Sequence, residues 1–172
     1  TGTLPVANGG TNLTSGFQNG ITMADQWRLT ANLSGTDTII TSNLEQVDTS
    51  GQGTLGSAMT VSSGVFTFPS TGIYLILFKA ATSNTAGDET QFQLMCNVTT
   101  NNSSYTEIAE VRTSARPEHN NQSAMGSTLV DVTDTSNVKV KFSTSSHQAN
   151  TVLDGNTTKE TTSFTFIRLG DT

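Results

Sequence analysis

Residues 72–80, GIYLILFKA, set six apolar side chains in succession, Ile73 through Phe78, in a chain otherwise crowded with Thr, Ser and Asn. A strand with one solvated face alternates apolar and polar residues, so an unbroken apolar run of strand length must be covered on both faces. Elsewhere, apolar runs of similar length recur between Gly, Asn, Ser and Pro turn signals. No stretch of twelve residues or more carries the i, i+3, i+4, i+7 stripe of an amphipathic helix. The chain reads as all-β.

Thr, Ser and Asn number 32, 19 and 14 of 172 residues, against 8 Lys plus Arg, so the surface must be hydroxyl and amide rather than charge. Thr suits pleated strands, while Asn, Ser and Gly suit turns. A chain of this length builds one core. The net charge of -6 and pI near 4.6 oppose a nucleic-acid partner, which needs clustered Lys and Arg. No window approaches the ~20 apolar residues of a membrane helix, and no charged-then-apolar leader opens the chain, so membrane insertion is not expected. Opening on Thr1, the chain reads as a processed product or a C-terminal fragment. The lone Cys96 leaves no internal disulfide and reads as a buried thiol.

Residues 1–20 hold five Gly and three Asn with almost no apolar periodicity, and are expected to be a tether or the end of a shaft. The folded head should occupy residues 21–172. Ten strands are expected over 21–31, 38–48, 53–61, 64–69, 72–81, 90–100, 105–113, 123–133, 137–145 and 161–170. Phe92, Leu94 and Cys96 alternate onto one face, as do Val138, Val140 and Phe142. Ten short strands in one domain predict an antiparallel jelly-roll sandwich. With successive strands antiparallel, the short connections 69–72, 101–104 and 134–137 fall at one end. The long ones, 82–89, 114–122 and 146–160, fall at the other. Both chain ends belong to the trimmed end, so the molecule should present its long polar loops at a free end.

The segment GVFTFPSTGIYLILFKA (64–80) resembles the signature of the complement 1q and tumour necrosis factor jelly rolls, in which a Phe-bearing strand ends in Pro and a tight turn delivers Gly before an aromatic-rich strand. Phe66, Pro69, Gly72 and Tyr74 match. SFTFIRLG (163–170) resembles the family's closing strand through Phe164, Ile167 and Leu169, with Thr165 where Gly is frequent. The resemblance covers about residues 21–170 and implies a homotrimer. One alternating set of the run, Ile73, Leu75 and Leu77 or Tyr74, Ile76 and Phe78, then packs inside the sandwich and the other against neighbouring subunits, the alternative being that a loop or the N-terminal arm of the same chain covers that face. The interface adopted as the expectation is Tyr74, Ile76 and Phe78, with Phe166. In the opening segment, GTLPVANGGT is similar to a Gly-rich connector of bacteriophage tail fibres and other virion fibre proteins, and ITMADQWRLT resembles the opening strand of viral structural jelly rolls. These imply a phage particle surface, an upstream fibre shaft and a host-cell glycan or protein as receptor. A decoration or spike protein without a receptor, and a secreted complement 1q-like module, are the alternatives.

Catalytic signatures are absent: there is no Gly-x-Ser-x-Gly, His-Glu-x-x-His or phosphate-cradling Gly loop. No catalytic residue and no enzyme is expected. Loop residues Arg116, Glu118, His119, Asn120, His147, Gln148 and Asn150 are the candidate receptor contacts; solvated loop side chains are the plainer reading. Asp88 and Glu89 are the candidate metal ligands, because calcium takes several loop oxygens, though two hydrated carboxylates explain them as well. No other cofactor is expected. Trp27 should pack at a sheet edge or subunit contact. Seven Asn-x-Ser/Thr sequons begin at Asn12, Asn32, Asn97, Asn101, Asn102, Asn121 and Asn156, as a chain so rich in these residues would contain by chance.

Overall fold

The structure is a computed structural model that describes residues 20–116 and 121–172. Among the described residues twelve strands form: β1 Met23–Leu29, β2 Leu33–Ser34, β3 Leu44–Gln46, β4 Thr60–Ser62, β5 Val65–Thr67, β6 Gly72–Asn84, β7 Glu89–Thr99, β8 Thr106–Ala115, β9 Asn121–Val132, β10 Lys139–Ser145, β11 Thr151–Leu153 and β12 Ser163–Gly170. All pairings are antiparallel. One sheet runs β2-β11-β6-β12-β1-β3, with β9 on the other edge of β6; the second runs β4-β5-β10-β7-β8. Among the described residues no helix is long and apolar enough to cross a membrane.

The apolar run lies in β6, at the middle of the larger sheet. Its even-numbered residues face the interior, where Tyr74, Ile76, Phe78 and Ala80 are at most 1% exposed. This corrects the interface expectation: Tyr74, Ile76, Phe78 and Phe166 fill the core, and Ile73, Leu75 and Leu77 point outward. Register explains the parity. Phe164 and Phe166 of β12 stand opposite Phe78 and Ile76 on the same face, so the rings gather between the sheets. There Phe66, Phe142, Phe164 and Phe166 pack together, with Phe142 and Phe164 stacked at 4.1 Å. Burying one such ring contributes about 1.5–3 kcal/mol.

Two expected strands are shorter than their apolar content predicts, because each crosses between sheets. In 38–48, Ile39 bridges Ser143 in the smaller sheet while β3 pairs with β1 in the larger. In 53–61, Leu55 bridges Ala24 of the larger sheet and β4, which begins at Thr60, pairs with β5 of the smaller. Conversely, β2 and β11 form in segments that read as polar loop. Arg28, with no exposed surface, binds Glu45 at 3.0 Å, Asp48, and the Thr49 hydroxyl at 3.0 Å, which fastens the 45–52 turn over β1.

The connections alternate between the two ends as expected, but two of the three expected long loops are shortened by strand. β6 runs to Asn84 and β7 starts at Glu89, while β8 runs to Ala115 and β9 starts at Asn121, because the strands keep pairing past the expected turns; 146–160 remains as the long connection. At the trimmed end the Asn102 amide donates to the Asn137 carbonyl at 3.0 Å, joining two short turns; at the other, the Thr85 amide donates to Asn150 O at 3.0 Å. Met23 pairs with Arg168, so Gly20 and Thr172 both lie at the trimmed end. At Gly72, φ is +139° and a Cβ would come within 2.4 Å of Gly170 O, which explains glycine in the signature turn.

Candidate functional site

Two surfaces stand out. The first is the outer face of the larger sheet. Cross-strand pairing sets Leu129, Leu75, Ile167, Ala24 and Leu55 in one row across five chain segments. At about 4.8 Å per step, the row spans roughly 20 Å. Leu129 and Leu55 are 61% and 49% exposed, and Leu169, beyond Ile167, is also exposed. Towards the loop-bearing end the same face turns polar: the row Met125, Lys79, Ser163, Arg28, Glu45 replaces it, and Lys79 Nζ donates to Glu160 O at 3.0 Å. Of this polar row only Met125, 70% exposed, is a bare apolar side chain. A wet strand face would not carry the leucine row, and monomers rarely expose contiguous apolar area of this extent.

The second surface is the loop-bearing end. Here a cleft of about 440 Å³ is lined by Asp88, Glu89, Thr90, Ser114, Ala115, Arg116 and Gln122. Asp88 and Arg116 are exposed, while Glu89 is buried beneath them. The Glu89 carboxylate accepts from Thr151 Oγ1 at 2.6 Å, the Gln148 amide at 3.2 Å and the Gln91 amide at 3.1 Å. Both of its oxygens already face donors within the chain. Among the described residues, no group of three or more His, Cys, Asp and Glu side chains is placed to hold a metal ion.

His147 also departs from expectation. It is neither solvated nor presented to a receptor, but buried against the edge of the Phe92 ring at 5.0 Å. Its Nε2 lies 2.7 Å from Thr151 O, its Nδ1 lies 3.2 Å from Thr36 O, and its amide donates to Asp37 Oδ1 at 2.7 Å. Gln148 and Asn150 are exposed at the same end. Gln148 Nε2 donates to Thr90 Oγ1 at 3.3 Å, against the cleft wall. Glu118, His119 and Asn120 lie outside the described residues, as do residues 1–19 of the expected tether. Thr90 and Ser114, which line the cleft, carried no sequence signal; only strand pairing brings them together. Trp27 packs edge-on against Phe66 at 5.5 Å and donates to Asp25 Oδ2 at 2.8 Å; its ring serves the core.

The architecture is an antiparallel jelly roll of the tumour necrosis factor type. Murine APRIL at pH 5.0 is 11% identical, matches over 86% of this chain and 98% of its own, and superposes with a TM-score of 0.60. Eiger TNF from S. frugiperda is 10% identical over 88% and 95% of the two chains, with a TM-score of 0.64. The PRD1 vertex protein P5 is 17% identical over 88% and 99%, with a TM-score of 0.51. No protein-family model and no curated protein matches the sequence.

Proposed function

We propose that this chain is a non-enzymatic structural protein of a virion surface: the head of a trimeric phage fibre, carried on a shaft and binding a host-cell surface glycan or protein through its loop-bearing end. The observation that carries the reading is the exposed leucine row on the outer face of β9, β6, β12 and β1. A further exposed apolar side chain, Ile108, lies on β8, the edge strand of the smaller sheet. Unlike surfaces on one molecule pack head to tail and close into a ring when the rotation permits. The tumour necrosis factor fold supports a ring of three, and the likeness to a vertex protein supports a place on a virion. Three copies of one loop-bearing end raise avidity without new contacts.

Sedimentation equilibrium at micromolar concentration tests the assembly: a mass about three times the 18.1 kDa of one chain is expected, and a lone chain overturns the reading. The same likeness favours a second reading, a vertex or decoration protein with no receptor. Purified head that adheres to host cells, and loses adhesion when residues 146–150 become a short Gly-Ser turn while the trimer persists, rejects it.

A further inference from the structure

Asp88 and Arg116 face the same cleft at the loop-bearing end, and neither forms an ion pair among the described residues. Two unlike charges sharing a cleft, neither neutralised by the other or by another described residue, can both face a guest. The walls are set in advance. Asn84 bridges its own loop, donating from Nδ2 to Gly87 O at 2.7 Å and accepting at Oδ1 from the Ala86 amide at 3.1 Å. A β-bulge between Glu89 and Phe92 inserts one extra residue in β7 at the cleft mouth, a device that re-aims side chains. Below, the buried Glu89 ties Thr151 and Gln148 to the floor. A cleft already shaped loses little entropy when it binds.

The chemistry narrows the guest. A carboxylate only accepts, a guanidinium only donates, and the Thr90 and Ser114 hydroxyls do either. Neighbouring hydroxyls of a sugar satisfy all three at once, giving protons to Asp88 and oxygens to Arg116. The lining holds no large apolar or aromatic side chain, whereas protein partners are anchored by such residues. At about 440 Å³ the cleft falls at the lower end of small-molecule sites, roughly 300–1,000 Å³. A net charge of -6 repels polyanions. We propose that this cleft is a subsite for a neutral saccharide unit of a surface glycan, a proposal that rests on the receptor-binding reading above. Without an aromatic platform, each site should bind on the order of millimolar, with the trimer supplying avidity.

The test is titration of the ¹⁵N-labelled full chain with neutral hexoses and N-acetylhexosamines, alongside a uronic acid, followed by amide shifts. At least one neutral sugar should saturably shift the amides of Asp88, Thr90, Ser114 and Arg116. Asp88→Asn and Arg116→Ala should each weaken it about tenfold, the loss of one charged hydrogen bond, with the thermal melt unchanged. Shifts confined to the uronic acid, shifts mapping elsewhere, or binding equal in both variants would overturn the proposal. Host-cell adhesion that survives both substitutions also overturns the cleft while keeping the receptor reading. Sugar binding without any adhesion upholds the cleft and removes that reading.

Discussion

The His147 ring fills a space bounded by the carbonyls of Thr36 and Thr151, the Gly35 amide and Phe92. Replacing it with Ala leaves a hole and removes the ring's polar contacts with these loops, so His147→Ala should destabilise the fold by about 2–4 kcal/mol in urea denaturation. A cost below about 1 kcal/mol would mean the ring is dispensable. Cys96 makes the opposite prediction, of inertness. Burial pushes its thiol up to about 12, so it stays protonated through the neutral range, and the thiolate is the reactive species. At pH 8 the native chain should resist alkylation that is rapid in denaturant; equal rates in both would contradict this burial. That Cys96 is interior was legible from its alternation with Phe92 and Leu94. His147 was not legible, because what surrounds it is mostly backbone from distant loops, and backbone carbonyls leave no mark on residue patterning.

At the scale of elements, β9 packs on β6 through a gap made by Gly126. This residue stands opposite Phe78, and a Cβ there would lie 2.5 Å from Val111 Cγ1 and 2.8 Å from the Phe78 ring. Gly126→Ala should therefore cost about 1–3 kcal/mol by overpacking, read as a lower denaturation midpoint; an unchanged midpoint would mean the ring simply turns aside. Strands with one solvated face, such as β7 and β10, were readable from alternation alone. The segments 38–48 and 53–61 were not, because a strand that changes sheets keeps its apolar residues while its pairing partner switches. Nor did the β6 run disclose its inner face: with both alternating sets apolar, period two carries no sign, and only the register with Phe164 and Phe166 supplies it.

For the molecule as a whole, the leucine row has a direct consequence. Leu75→Glu combined with Leu129→Glu places charge on a face whose proposed partner is another copy of itself. Both side chains point outward, so the β-sheet circular dichroism should persist while the sedimenting mass falls to that of one chain. A trimer that survives both charges would show that the row is not the contact. The division of the larger sheet's face, leucine-lined near the chain ends and polar towards the loops, also keeps the proposed assembly face and the proposed recognition cleft at separate latitudes of the same molecule. Since Met23 and Arg168 are neighbours, Gly20 and Thr172 lie at one pole, about 40 Å by the length of the 13-residue β6 from the other. A bead, dye or foreign domain coupled to the C-terminus would thus sit at the antipode of the cleft, and the head could be displayed upright on a sensor surface with the cleft facing away from it.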